Sequence, residues 1–162
     1  MPRSRSIIAI ASGSIWGIVS DIPHYLEPPH FYTNSMAALV PRNGLIVVER
    51  ADIFVEAVET EPGLQLRYLL DWDTAMLPES PRGEVSGYHE LENLQRAGYH
   101  AASIEQSSEF LARQADFWVI TDPTEQWFAR RIQNNLTFAT QKVGTFQRED
   151  RTETVWHIHR LQ

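Results

Sequence analysis

From residue 44 to residue 135, short continuous apolar runs alternate with segments that are apolar on one side only. Leu45-Ile46-Val47-Val48-Glu49 has strand length and no polar interruption, the mark of a strand covered on both faces. Leu66-Arg67-Tyr68-Leu69-Leu70-Asp71 and Phe117-Trp118-Val119-Ile120 predict two more strands, with a short one over residues 102–105. Helices are predicted between them. One covers residues 52–60 with Asp52 as its cap, and one covers residues 86–97, capped by Ser86 and ended by Gly98. A third starts at Ser107 or Ser108 and holds Phe110 and Leu111. A fourth opens on Asp122-Pro123-Thr124-Glu125, carries Trp127, Phe128 and Ile132, and closes at Asn134-Asn135. Residues 77–85, with two prolines and a glycine, read as a loop. Residues 137–146 and 154–161 predict two final strands, with residues 148–153 as the tip between them.

Strands alternating with helices, then a hairpin, define an α/β fold. The expectation is a mostly parallel or mixed sheet flanked by helices, with a C-terminal antiparallel hairpin and right-handed crossovers.

The pattern before residue 44 differs. Arg3 and Arg5 precede two short apolar runs split by Ser12-Gly13-Ser14, too short and too interrupted for a full membrane span. Pro23, Pro28 and Pro29 mark an irregular stretch, followed by a helix over residues 30–40 and a Pro41-Arg42-Asn43-Gly44 turn. The expected organisation is therefore an apolar segment and Pro-rich lead-in with one helix over residues 1–40, and an α/β domain over residues 41–162.

Composition narrows the chemistry. The 162 residues are 43% apolar and 22% charged, enough for one real core. The net charge of -7 argues against nucleic acid as a partner, because phosphate binding needs a surplus of basic residues on one face. There is no cysteine, which excludes disulfides, thiolate metal sites and a Cys nucleophile. After Val48 come Glu49-Arg50-Ala51-Asp52, so the glycine fingerprint of dinucleotide binding is absent.

Two patterns suggest a metal. Asp71-Trp72-Asp73 directly follows a strand, where two hard oxygen donors could hold Mg²⁺ or Mn²⁺, with Glu49 at the end of the neighbouring strand as a third. The plainer reading makes Asp73 a helix cap and Trp72 a packing residue. His157 and His159 lie two apart in a strand, so both rings share a face that could bind a transition metal. The plainer reading is a pair of solvated histidines on an edge strand. Tyr25 and Tyr32, in the proline-rich segment, could stack on a sugar ring or sit at a membrane surface; packing against the domain is the commoner fate of such residues. No constellation of nucleophile, base and orienting acid is present, so no catalytic residue is assigned.

Several segments together carry a resemblance. They are Asn43-Gly44-Leu45-Ile46-Val47-Val48-Glu49, Asp52-Ile53-Phe54, Tyr68-Leu69-Leu70-Asp71-Trp72, Glu109-Phe110-Leu111-Ala112, Asp116-Phe117-Trp118-Val119-Ile120 and Trp127-Phe128-Ala129-Arg130-Arg131-Ile132. In this order they resemble the extracytoplasmic C-terminal domain of protein-mannosyltransferase-like multi-spanning membrane glycosyltransferases. The resemblance implies an extracytoplasmic, membrane-associated accessory or binding domain without cofactor. Its implied partners are a membrane-embedded glycosyltransferase portion or a lipid-linked sugar, and residues 7–19 would be the remnant of a membrane segment. The catalytic acids of that family sit between early membrane helices and have no counterpart in these residues. The alternative is a small standalone, cytoplasmic, metal-dependent transferase built on Asp71 and Asp73.

Overall fold

The computed structural model describes residues 31–76, 82–122, 127–148 and 151–162, which belong to one compact unit beginning at Phe31. The element order is α1 (Asn34–Ala37), β1 (Leu45–Val48), α2 (Ala51–Thr60), β2 (Gln65–Leu70), α3 (Trp72–Ala75), α4 (Arg82–Arg96), β3 (Ile104–Gln106), α5 (Ser107–Arg113), β4 (Asp116–Thr121), α6 (Trp127–Gln133), β5 (Phe138–Arg148) and β6 (Arg151–Arg160).

The six strands form one mixed sheet in the order β3-β2-β1-β4-β6-β5. The first four run parallel. β6 then pairs antiparallel with β4, and β5 closes the edge as its hairpin partner. The expected α/β fold with a mixed sheet, flanking helices and C-terminal hairpin is the one observed.

Strand alternation sends successive side chains to opposite faces, and two cores result. Ile46, Val48, Leu66, Tyr68, Leu70, Ile120 and Val155 meet α1, α2 and α4 through Met36, Ile53, Phe54, Ala57 and Leu91. Val47, Leu69, Phe117, Val119 and Ile158 meet α5 and α6 through Phe110, Phe128 and Ile132. Phe117 lies edge-on to Phe110 at 4.9 Å between ring centroids, the arrangement that the aromatic quadrupole favours. Each of these fully buried rings contributes ~2–3 kcal/mol through burial alone.

Local rules explain most element ends. Thr33 caps α1 by accepting a hydrogen bond from the Met36 amide. The turn ahead of β1 closes with the Gly44 amide donating to the Pro41 carbonyl at 2.8 Å. A Cβ at Gly44 would stand 3.0 Å from that carbonyl and from the Trp118 ring, so only glycine fits without a shift. Gly98, at φ +84, ends the segment after α4 in the left-handed conformation.

The boundaries depart from expectation in places. α1 is a single turn over Asn34–Ala37 rather than a helix over residues 30–40, and Phe31, Met36 and Val40 join the first core. α2 starts at Ala51, with Arg50 rather than Asp52 at the cap position. α4 already runs at Arg82, so Ser86 lies inside it and does not cap it; the apolar face of the helix outweighs the local stop signals. β5 and β6 continue to Arg148 and from Arg151, which shortens the expected six-residue tip. Residues 1–30, with Tyr25, His24, His30 and the apolar runs, lie outside the described residues, as do Pro123, Thr124 and Glu125 of the predicted helix start.

Candidate functional site

A parallel sheet with helices on both faces gathers polar groups at the carboxyl ends of its strands, because the strand ends and the helix starts meet there. Here the order turns around β1: β2 lies on one side of it and β4 on the other. The crossover helices change face at the same place, α2 packing on one side of the sheet and α6 on the other. The β1/β4 edge is therefore the topological switch point, where a crevice opens in such sheets.

Two clusters of buried acid occupy this end of the sheet. The first is at the end of β2. Asp71 is 6% exposed, and its carboxylate accepts hydrogen bonds from the Ser107 hydroxyl and the Arg131 guanidinium. Its carbonyl accepts the first hydrogen bond of α3 from the Ala75 amide, at 2.9 Å. Asp71 thus joins β2, α3, α5 and α6. Asp73 is exposed, in the first turn of α3. Trp72 is 43% exposed and lies against Tyr88 and His89, with ring centroids 5.1 Å and 5.2 Å away.

The second cluster is at the switch point. Glu49 directly succeeds β1, is 3% exposed, and continues the ladder through its amide to the Ile120 carbonyl. Asp122 comes just after β4 and is 5% exposed. Arg50 Nη1 lies 3.2 Å from Asp122 Oδ2, and Arg50 Nε donates to Asp52 Oδ1 at 2.9 Å. On β5, Arg148 pairs with Glu56 of α2. Glu153 of β6 lies opposite Phe146 and is fully buried. Neither of its carboxyl oxygens has a hydrogen-bond partner.

The electrostatics of the second cluster arise from that burial. Burial and the Asp122 carboxylate raise the Glu153 pKa to about 7, against the pull of Arg50 and Arg148, while Asp52 raises it further. Burial also pushes Asp52 upward, but the hydrogen bond and charge of Arg50 prevail and hold it below its ordinary value.

The histidine and tyrosine candidates lie elsewhere in the fold. β6 lies between β4 and β5, so His157 and His159 are on an interior strand and not on the expected edge. A strand next to the hairpin's outer member acquires neighbours on both sides, which the sequence pattern does not encode. His157 stacks on Trp118 with centroids 4.6 Å apart and lies 3.2 Å from the Asp116 carboxylate; His159 is exposed, its ring 5.9 Å from that of His157. His89 and His100 are on other elements. Tyr32 donates its hydroxyl to the Val40 carbonyl and carries Arg42 over its ring at 5.3 Å, so its ring is engaged within the domain. Among the described residues, no group of three or more His, Asp or Glu side chains is arranged to hold a metal ion. Asp71 and Asp73 do not fit one: the first is sealed and held by Ser107 and Arg131, and the second faces solvent.

Sequence reasoning missed Arg50 and Glu153 and took Asp122 only as a helix cap. A usable signal existed for Glu153. It stands one strand period before Val155, so an inward-facing Val155 implies an inward-facing carboxyl. No known protein family, curated protein or solved structure matches this chain.

Proposed function

We propose that this chain is a Rossmann-like accessory or binding domain that acts beside a catalytic partner and is not itself the catalyst. The order β3-β2-β1-β4 with helices on both faces supports the Rossmann-like reading. The resemblance to the extracytoplasmic tails of protein-mannosyltransferase-like enzymes supplies the partner class: a membrane-embedded glycosyltransferase portion or a lipid-linked sugar, at the extracytoplasmic membrane surface. Among the described residues no helix is long and apolar enough to cross a membrane, so the attachment would come from a partner or from elsewhere in the protein.

The observation that carries this reading is the state of Asp71. A metal-dependent transferase would use the Asp71 and Asp73 carboxylates together. Asp71 is instead committed to Ser107 and Arg131, and releasing it would leave the buried Ser107 hydroxyl without its acceptor. The segments that carry the resemblance supply core and boundary residues, among them Val47, Val48, Phe54, Leu69, Phe110, Phe117 and Phe128. Such residues favour a shared fold over a shared reaction.

Thermal unfolding with millimolar Mn²⁺ or Mg²⁺, alone and with sugar nucleotides, tests the reading. A ligand of the folded state raises the midpoint. The expected result is an unchanged midpoint. A rise that Asp71→Ala and Asp73→Ala both abolish would replace the accessory domain with the metal-dependent transferase.

A further inference from the structure

Glu153 has no part in the proposed accessory role, and its surroundings are unusual. A carboxyl with no exposed surface and no hydrogen-bonded oxygen costs free energy unless it is neutral. It is sealed, so a proton and not a ligand is the species that reaches it. Among the described residues, the charges that act on it are Asp122 at the end of β4, Arg50 and Asp52 at the start of α2, and Arg148 on β5. Both arginines already hold other acids. Arg50 holds Asp122 and Asp52, and Arg148 holds Glu56 on the second turn of α2. Glu49 is at the same sheet end, but strand alternation after Val48 turns it to the opposite face.

We propose that Glu153 is a proton-operated latch between α2 and the ends of β4 and β5. With Glu153 neutral, Arg50 and Arg148 tie α2 to the ends of β4 and β5. When Glu153 loses its proton, a buried carboxylate appears beside both guanidiniums and competes for them with Asp122, Asp52 and Glu56. The tie between Arg148 and Glu56 weakens, and α2 loosens from β5. The only chemical step is release of one proton from the Glu153 carboxyl to solvent. A titration midpoint of about 7 places the change near neutral pH. The inference stands on the burial of Glu153 and the ion pairs around it, and is independent of whether the domain serves a glycosyltransferase.

The test is an NMR titration of the whole chain between pH 5 and 9. Side-chain carboxyl carbons are followed alongside the backbone amides of residues 49–56, 121–122 and 148–154, in the wild type and in Glu153→Gln. The Glu153 carboxyl is expected to titrate near 7. Amide shifts and faster amide exchange in those three segments should share that midpoint and vanish in Glu153→Gln. A Glu153 midpoint in the ordinary carboxylate range overturns the proposal. So does a midpoint near 7 that no α2 amide tracks, or an amide transition that persists in Glu153→Gln. If Glu153→Gln does not fold, the wild-type carboxyl and amide midpoints decide by themselves, since the proposal requires them to coincide.

Discussion

Asp71 and Glu153 are both buried acids of one sheet, yet their environments are opposite. Asp71 ends β2 and is met by a hydroxyl and a guanidinium, so its charge is satisfied where it sits. Glu153 enters β6 and meets no donor, although two arginines are close enough to act on it. The difference comes from the helices packed beside each strand. α5 starts next to β2 and presents Ser107, and α6 crosses over with Arg131. Around Glu153 the arginines are already taken by Asp122, Asp52 and Glu56. One buried acid is therefore a structural tie, and the other is a carboxyl buried without a donor.

Removing each acid in turn puts this contrast under the most strain. Asp71→Ala removes the acceptor of the buried Ser107 hydroxyl and one anion of Arg131. Opening a buried pair on one side costs several kcal/mol, and Arg131 is 38% exposed, so solvent recovers part of it. A loss of ~2–3 kcal/mol is expected in denaturant unfolding at pH 7. Glu153→Gln should have the opposite sign at high pH. The folded pKa lies above the unfolded value of 4.5, so the neutral carboxyl contributes stability that is fully present below pH 4.5. That contribution is lost as the pH rises to about 7. At pH 8, Glu153→Gln should therefore be more stable than the wild type by ~2–3 kcal/mol. At pH 4.5 the gain should disappear. Urea midpoints across that range read both numbers.

Two smaller effects refine the picture. His157→Ala removes the stack on Trp118 and a contact to Asp116, and should cost ~0.5–1 kcal/mol with no change in any metal response. Asp73→Asn, on the exposed first turn of α3, should stay within ~0.5 kcal/mol of the wild type in the same assay. A loss as large as that of Asp71→Ala would mean that the two carboxylates act as a unit, as a metal site would require.

The two acids are not equally legible in the sequence. Asp71 stands at the end of an apolar run, and a carboxylate there is visible as a boundary residue. Its partners are not visible, because Ser107 and Arg131 are 36 and 60 residues away in sequence. Glu153 falls within a stretch that reads as a charged hairpin tip. Burial of a strand end depends on the strand beside it, here β5 with Phe146 opposite Glu153. The histidine pair shows the same effect: its period places both rings on one face, and the pairing of β6 with β4 puts one of them on Trp118.

The alternation of strands and helices and most of the two cores were readable from the residues in order. Those depend on period, apolar run length and turn residues, which act over a few neighbours. Strand order, the turn of the sheet at β1, and the choice of which acids lost water with or without a donor emerged only in three dimensions. Each of these depends on contacts between residues distant in the chain, where burial makes one carboxylate a tie and leaves another poised to give up its proton.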